Sequence, residues 1–394
     1  MHKSLHVLFT AAWFPNRMIK GEGVFIEKHA KVIALHHKVS VLFVKADPAV
    51  TCGYEIEIER DKNLKIYRIY VPKIKSNIPF FSGIIRFIHY LNGSFAGYRK
   101  IVNENGKPDI SHVNVLTRAG LIPFFLKRFG SIPYIITEHW SRYSRKEYPS
   151  GLLHKYISEK IVQEASVIAP VSKNLQQALI DKNLKNNNFC LVNNVVDTDI
   201  FYCKDYNKNI SENKIIFSHV SWMRDDAKNI SGIIDVINQL SHIKSNFQLN
   251  LIGEGIDKEM LEEKVKSLCL EQFISFQGPK SGDDLANALR SSNFLILFSN
   301  FESQPVCVLE ALSCGIPVIS TDVGILSEML GHDRGILIKP KDNEALLKAL
   351  IEMMDSYKNY NPHKLHQYIN DNYSPSVIFD KFNDLYIKSI ENIK

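Results

Sequence analysis

The run from Asn300 to Gly324 constrains the fold more than any other part of the chain. It reads Asn300-Phe-Glu-Ser-Gln-Pro-Val-Cys-Val-Leu-Glu-Ala-Leu-Ser-Cys-Gly-Ile-Pro-Val-Ile-Ser-Thr-Asp-Val-Gly324. Apolar segments with strand character stand on either side of its centre, Phe294 to Phe298 and Pro317 to Ser320. The stretch between them predicts a helix, with Ser303 as N-cap, Pro305 in the first turn and Gly315 as C-terminal stop. Strand, loop, helix, strand is the crossover unit of a parallel sheet. Glu302 then falls at the carboxyl end of a strand, where open α/β sheets bind ligands. Glu310 lies about two turns into the helix, roughly 10 Å along its axis from the cap. Between the carboxylates, the N–H groups and dipole of a helix N-terminus favour an anion. Hydroxyls at both ends with an anion between describe a sugar, a diphosphate and a ribose.

The same alternation runs through the rest of the chain. In the first half, Leu5–Phe9, Val39–Val44, Asp109–Val113, Tyr134–Thr137 and Val167–Pro170 read as strands, with helical patterns between them. Glu55–Arg60 and Leu64–Tyr70 read as a hairpin appended to that sheet. The polar stretch from Lys204 to Lys214 is the linker candidate. The pattern restarts with strands at Ile215–His219, Gln248–Ile252, Phe273–Phe276, Phe294–Phe298 and Pro317–Ser320. Alternation of this kind predicts doubly wound parallel sheets, and 394 residues exceed one ordinary core. We therefore expect an N-terminal Rossmann-like domain over 1–205, a second over 206–375, and a terminal amphipathic helix over 376–394.

Six scattered cysteines (52, 190, 203, 269, 307, 314) without Cys-x-x-Cys spacing read as reduced, mostly buried thiols of a cytoplasmic protein. The N-terminus enters an apolar strand directly, without a secretory pattern, and no stretch is long and apolar enough to span a membrane. Residues 1–205 carry 29 Lys and Arg against 17 Asp and Glu, a net +12 within a chain of net +6. Such charge suits a phosphorylated acceptor or the inner face of an anionic membrane as peripheral partner. It is dispersed and accompanies no nucleic-acid-binding motif, so nucleic acid is not expected. Ile84, Phe87, Ile88, Leu91, Phe95 and Tyr98 recur at helical spacing beside Arg86, Arg99 and Lys100. That stripe reads as a core-facing helix, with an acceptor-side or membrane-surface face as the alternative.

The 300–324 run resembles the signature of retaining glycosyltransferases of family 4, whose GT-B fold sets two Rossmann-like domains across a cleft. The resemblance covers most of the chain. Trp13-Phe-Pro-Asn with Gly21-Glu-Gly23, Thr137-Glu-His139, Val171-Ser172, Val192-Asn-Asn-Val-Val-Asp197, Leu251-Ile-Gly-Glu-Gly255 and Phe276-Gln-Gly278 resemble further landmarks in the family's order. It implies that Glu302 contacts the transferred sugar and Glu310 the ribose. It further implies that Lys228 grips the diphosphate, and that Gly21, Gly23, Gly253, Gln304, Pro305 and Val306 line the donor site. His139 would face the sugar and acceptor, with Glu138 a weaker candidate beside it. The terminal helix would cross back onto the first domain. The chain departs from the pattern in three places. Trp222 stands where the family has a diphosphate-gripping Arg, leaving Arg224 as substitute. Ser303-Gln304 follows the first Glu where Gly-Phe is usual, and Gly324-Ile325 replaces Gly-Gly.

Each residue also has a plainer reading. Glu302 would complement a helix dipole, Glu310 would sit on a polar face, Lys228 in a solvated loop, and His139 would be a hydrogen-bonded core histidine. Gly253-Glu-Gly255 lacks the third glycine of a dinucleotide fingerprint and reads as a strand-end turn. The expectation is metal-free transfer, without cofactor, from a UDP- or GDP-sugar to a hydroxyl of a glycan or lipid-linked acceptor, with retention, in cell-surface polysaccharide synthesis. A GT-B sugar-nucleotide epimerase, a glycoside hydrolase using the two glutamates, and a catalytically silent nucleotide-sugar-binding protein are the alternatives.

Overall fold

A computed structural model describes residues 4–74, 79–116, 118–144, 151–204 and 214–392. Backbone contacts divide them into two units, one running to Asn194 and taking up the chain again from Ile378, the other spanning Val195–Val377. The expected boundary at 205 lies too late. Val196 and Phe201 are buried in the apolar core of the second unit, beside Leu309 and Leu365. The expected linker, 204–214, lies outside the described residues except at its ends.

The first unit is built on seven strands, β1 (His6–Ala11), β2 (Lys38–Asp47), β3 (Glu55–Asp61), β4 (Leu64–Pro72), β5 (Ile110–Asn114), β6 (Tyr134–Glu138) and β7 (Val167–Pro170). They lie in the order β3-β4-β2-β1-β5-β6-β7. The hairpin is not an appendage: β4 pairs parallel with β2 along its whole length, and only β3 is an antiparallel edge. β1 and β5 are buried at every residue, as expected for a parallel sheet covered on both faces. The long helix Pro79–Asn105 crosses β2 and β4 closely. A Cβ on Gly93 would lie 2.8 Å from Val71, and one on Gly97 2.5 Å from Leu42. The apolar stripe of this helix divides along its length. Phe87 and Leu91 pack against the core, while Ile84, Ile88 and Phe95 are exposed. The terminal helix Pro375–Glu391 lies against the same unit through Phe382, Asn383 and Tyr386.

The second unit carries β8 (Ile215–Val220), β9 (Phe247–Ile252), β10 (Ile274–Gly278), β11 (Phe294–Leu297), β12 (Val318–Thr321) and β13 (Gly335–Ile338), ordered β10-β9-β8-β11-β12-β13. Sequence reasoning passed over β13, whose four residues are too few to show a period. The order reverses between β8 and β11, and Glu302 follows β11. Four rings stack across one face of this sheet. Phe217 lies 4.7 Å from Phe294 and 5.9 Å from Phe247, and Phe247 lies 4.9 Å from Phe273. Phe217 is fully buried at the middle of the row. Phe217→Ala should therefore cost about 3–5 kcal/mol through lost transfer energy and the cavity left behind. A urea unfolding curve with an unchanged midpoint would contradict this.

Candidate active site

The crossover from β11 leaves the sheet through Ser299, Asn300 and Glu302 and enters the helix Val306–Ser313. Pro305, not Ser303, occupies the N-cap position, and no side chain caps the helix. Ser303 is instead held by its backbone, its carbonyl accepting from Ile325 N at 3.1 Å. Starting at Val306, the helix reaches Glu310 after about one turn, roughly 6 Å along the axis, not two. Gly315 takes the left-handed φ of +77° expected of a helix stop.

The loop is tied down from several sides. Asn300 N donates to Ala227 O at 2.8 Å, and Asn300 Nδ2 donates to Asp226 O at 3.0 Å. Thr321 Oγ1 donates to Ser299 O at 2.7 Å. Gly324 has φ +64°, and a Cβ there would sit 2.6 Å from the carbonyl oxygens of both Glu302 and Ser303. This glycine is therefore required. Ile325, with φ −86°, has ordinary backbone, so the departure at that position involves no strain.

These restraints bring Lys228 Nζ to 2.5 Å from Glu302 Oε1, and Ser299 Oγ donates to the same oxygen at 2.8 Å. Only 21% of the lysine side chain and 10% of the glutamate side chain are accessible. Burial pulls the lysine toward neutrality, but the adjacent Glu302 outweighs it and holds the ammonium above its usual range. Cys307, in the first turn of the helix, lies within reach of the charges of Lys228, Glu302 and Glu310. Burial is the largest influence on its thiol, which is pushed up to about 12. Glu310 is buried, 5% exposed. The ion pair, the helix start and Glu310 thus form one electrostatic group. Gln304 and Pro305 are buried at its edge, with Val306 half-buried beside them.

Arg224 is not part of that group. Its guanidinium forks onto Asp226 at 2.7 and 3.0 Å, both side chains being more than half exposed. Trp222 is 43% exposed and Met223 fully buried. Gly253 lies under this segment with φ +140°, where a Cβ would come 1.9 Å from Ser221 O. Its glycine character is explained by this backbone approach alone. Sequence reasoning overlooked His219, which is buried behind the lysine. Its Nδ1 bonds Ile296 O at 3.0 Å, joining β8 to β11, and Nε2 faces Ser221 Oγ at 2.8 Å. Because a carbonyl only accepts, Nδ1 carries the proton.

In the first unit, Gly23 begins the helix Val24–Ala34 with φ +67°, and a Cβ there would meet Trp13 O at 2.5 Å. Gly21 has open space around it. Asn16 organises this loop, donating to Phe14 O and Glu22 Oε2 and accepting from the N–H groups of Met18 and Ile19. Lys45 pairs with the same Glu22 oxygen. His139 follows β6 and packs on Phe25, 4.5 Å away between ring centres, with His29 at 5.5 Å. Trp13 and Trp140 meet edge to face at 5.6 Å. The glycine loop and His139 therefore come together, with Phe25 and Trp140 as companions that the sequence did not single out. Glu138 accepts from the N–H groups of Leu116, His139 and Trp140 and from the Tyr143 hydroxyl, so it holds the turn that aims His139.

Three buried histidines line this region. Burial chiefly lowers His112 and His139 well below 6.5 and His29 to about 4. Neither His139 ring nitrogen makes a well-formed hydrogen bond, although the nearby Asn194 amide slightly favours its proton. His29 Nε2 donates to Asn193 O at 3.1 Å. The expected mostly buried cysteines are corrected: only Cys314 is fully buried, and Cys52 and Cys269 are exposed. Among the described residues no helix is long and apolar enough to cross a membrane.

The chain matches the model for glycosyl transferases group 1 over residues 204–372 and that for glycosyltransferase family 4 over residues 24–200. An uncharacterised glycosyltransferase of Methanocaldococcus jannaschii is 26% identical over 276 residues, 69% of this chain and 72% of that one. A putative teichuronic acid biosynthesis glycosyltransferase of Bacillus subtilis is 22% identical over 359 residues, 88% of each. Sucrose-phosphate synthase from Thermosynechococcus elongatus superposes with a TM-score of 0.77 at 17% identity, over 98% of this chain and 99% of that one. Anabaena HepE in complex with UDP-glucose superposes at 0.72 with 14% identity, over 98% and 100%.

Two outcomes follow from the site. With its thiol at about 12, Cys307 should stay unmodified by a thiol reagent at pH 8 while the exposed Cys52 and Cys269 react. Peptide mapping that finds Cys307 labelled as fast as Cys52 would contradict this. A histidine whose folded value is depressed contributes stability above its unfolded value near 6.5, and loses it as pH falls through the folded value. For His29, moving from 6.5 to about 4, the loss is on the order of 3 kcal/mol. Urea midpoints should fall between pH 7 and pH 4 less steeply in His29→Gln than in the natural chain. Equal slopes would be evidence against a neutral buried His29.

Proposed function

Since this chain belongs to the family 4 glycosyltransferases of GT-B fold, we propose that it moves a hexosyl residue from a nucleotide diphosphate sugar to a hydroxyl of a glycan or lipid-linked acceptor, with retention at the anomeric carbon. The largely buried Lys228–Glu302 pair at the start of the helix Val306–Ser313 supports this reading most strongly. An ammonium has three donors. One holds Glu302, which leaves Lys228 able to take a phosphate oxygen without surrendering its partner. Charge that develops on the departing diphosphate then meets a fixed cation and a helix N-terminus in a site already shielded from water.

In this reading Glu302, oriented by Ser299 and Lys228, accepts from hydroxyls of the transferred sugar. Glu310 accepts from the ribose, and Gln304, Pro305 and Val306 line the diphosphate seat. Gly21 and Gly23 leave backbone N–H groups approachable by the donor, and Gly253, whose own N–H is taken by Gly278 O at 2.9 Å, lines the site without donating from its backbone. Arg224 joins only by leaving Asp226, which an exposed pair allows, since such pairs are worth about 0–1 kcal/mol. His139, neutral and fixed by Glu138, bonds a hydroxyl of sugar or acceptor. The leaving phosphate takes the acceptor's proton, so no strong general base is needed. Neutralisation by Lys228 makes a metal unnecessary. HepE, in complex with UDP-glucose, supports a UDP-sugar donor, with a GDP-sugar as the alternative, and the relative named for teichuronic acid biosynthesis supports a role in cell-surface polysaccharide synthesis.

Lys228→Ala should weaken UDP or GDP binding by about tenfold or more, the loss of one charge-assisted contact. Calorimetry showing unchanged affinity, with the variant's melting temperature as a check on folding, would count against the assignment. Saturating chelator should leave transfer intact; activity lost on chelation and restored by magnesium would refute the metal-free proposal. Proton spectra of the first product formed should show the donor's anomeric configuration, and inversion would remove the claim of retention.

A further inference from the structure

A cavity of about 170 Å³ opens in the first unit at the carboxyl ends of β1, β2 and β4. Its walls are apolar, from Ala12, Val44, Val71 and the ring of Tyr90, and its charged lining groups are Arg86 and Arg118. Tyr90 and Arg86 come from the long helix Pro79–Asn105, one turn apart on one face. The helix is anchored where Gly93 and Gly97 meet the sheet, so this end is placed by packing further along. The Arg118 guanidinium carbon sits 5.7 Å from the centre of the Tyr90 ring. Burial, offset in part by Ser94 and Arg118, pushes the Tyr90 phenol up to about 12, so the wall stays uncharged. Beside Arg86 the helix exposes Ile84, Ile85 and Ile88 at 45%, 41% and 49%.

We propose that this cavity binds the phosphate of an acceptor in which that phosphate is joined to a hydrocarbon chain. The proposal rests on the glycosyltransferase reading and names the class of acceptor. Two guanidiniums supply the forked donors that phosphate oxygens accept. An anion alone needs no apolar walls, and an alkyl group alone needs no arginines. The cavity is smaller than the roughly 300 Å³ at which sites enclosing a whole drug-sized ligand begin. A chain longer than a few carbons must leave it, and Ile84, Ile85 and Ile88 supply apolar surface at the rim. The excess positive charge of residues 1–205 draws such an anion to this half of the chain.

Calorimetry of the full chain tests this, with decyl phosphate below its micelle concentration, decyl glucoside as the uncharged amphiphile and inorganic phosphate as the bare anion. Decyl phosphate should bind at least about tenfold more tightly than either control. Arg86→Gln with Arg118→Gln should lower its affinity by at least about tenfold, while Arg86→Lys with Arg118→Lys retains part of it. Equal binding by the Gln variant, or by decyl glucoside, would overturn the proposal, as would inorganic phosphate binding as tightly as decyl phosphate. Titrating UDP into the same samples separates the two readings. UDP binding that fails while decyl phosphate behaves as expected would sink the donor assignment and leave this cavity's chemistry standing.

Discussion

One largely buried ion pair, Lys228 with Glu302, fixes the loop of the second unit that carries the candidate site. Its members lie far apart in sequence, Lys228 at the end of the short helix Asp225–Lys228 that follows β8 and Glu302 on the loop that leaves the neighbouring strand β11. Taking a carboxylate and an ammonium out of water is costly, and the cost is recovered only when geometry and further hydrogen bonds are good. Here Ser299 supplies a second donor to the carboxylate, and Asn300 ties its loop to the segment of Asp226 and Ala227 through both its side-chain amide and its backbone N–H. Removing one partner leaves the other buried and uncompensated, a change of about 3–5 kcal/mol in comparable cases. The pair therefore constrains the loops in the absence of ligand and presents charge where an incoming diphosphate would need it.

The neighbours of the pair are shaped by the same constraint. Gly324 exists because two carbonyl oxygens of the Glu302 loop pass within a Cβ's radius of it. Cys307 is a thiol kept protonated between charges of both signs, a small apolar filler in place of a nucleophile. The first unit takes the opposite approach to polarity. His29, His112 and His139 are buried as neutral rings among Phe9, Phe25 and Phe382. The Glu138 carboxylate is spent on backbone N–H groups, and is not held in reserve for proton transfer.

Much of this was legible in the chain. Among the described residues, the alternation of short apolar runs with helical periods identifies twelve of the thirteen strands, and the spacing of Glu302 and Glu310 marks the crossover that carries the site. Lys228 was found through resemblance, since nothing local marks one lysine as buried. The failures have physical causes. Ser303 looked like an N-cap because serine favours that place, but Ile325 and Gly324 fix its backbone from across the loop. Arg224 was read toward phosphate, whereas a carboxylate two residues away offers a closer partner. The stripe on the helix Pro79–Asn105 is periodic throughout, yet it faces the core only in part, since periodicity does not reveal where the covering element ends. Ser299, His219 and Phe25 act through contacts set by tertiary packing, for which local sequence carries no signal.

The proposed function requires that the ammonium of Lys228 and the first turn of the helix Val306–Ser313 together seat the diphosphate of the donor. A crystal structure with a bound UDP- or GDP-sugar tests it most directly. It should show a phosphate oxygen within hydrogen-bonding distance of Lys228 Nζ while Glu302 remains paired with the same lysine and faces the sugar. A diphosphate bound elsewhere, or a Lys228–Glu302 pair left without contact to the nucleotide sugar, would contradict it.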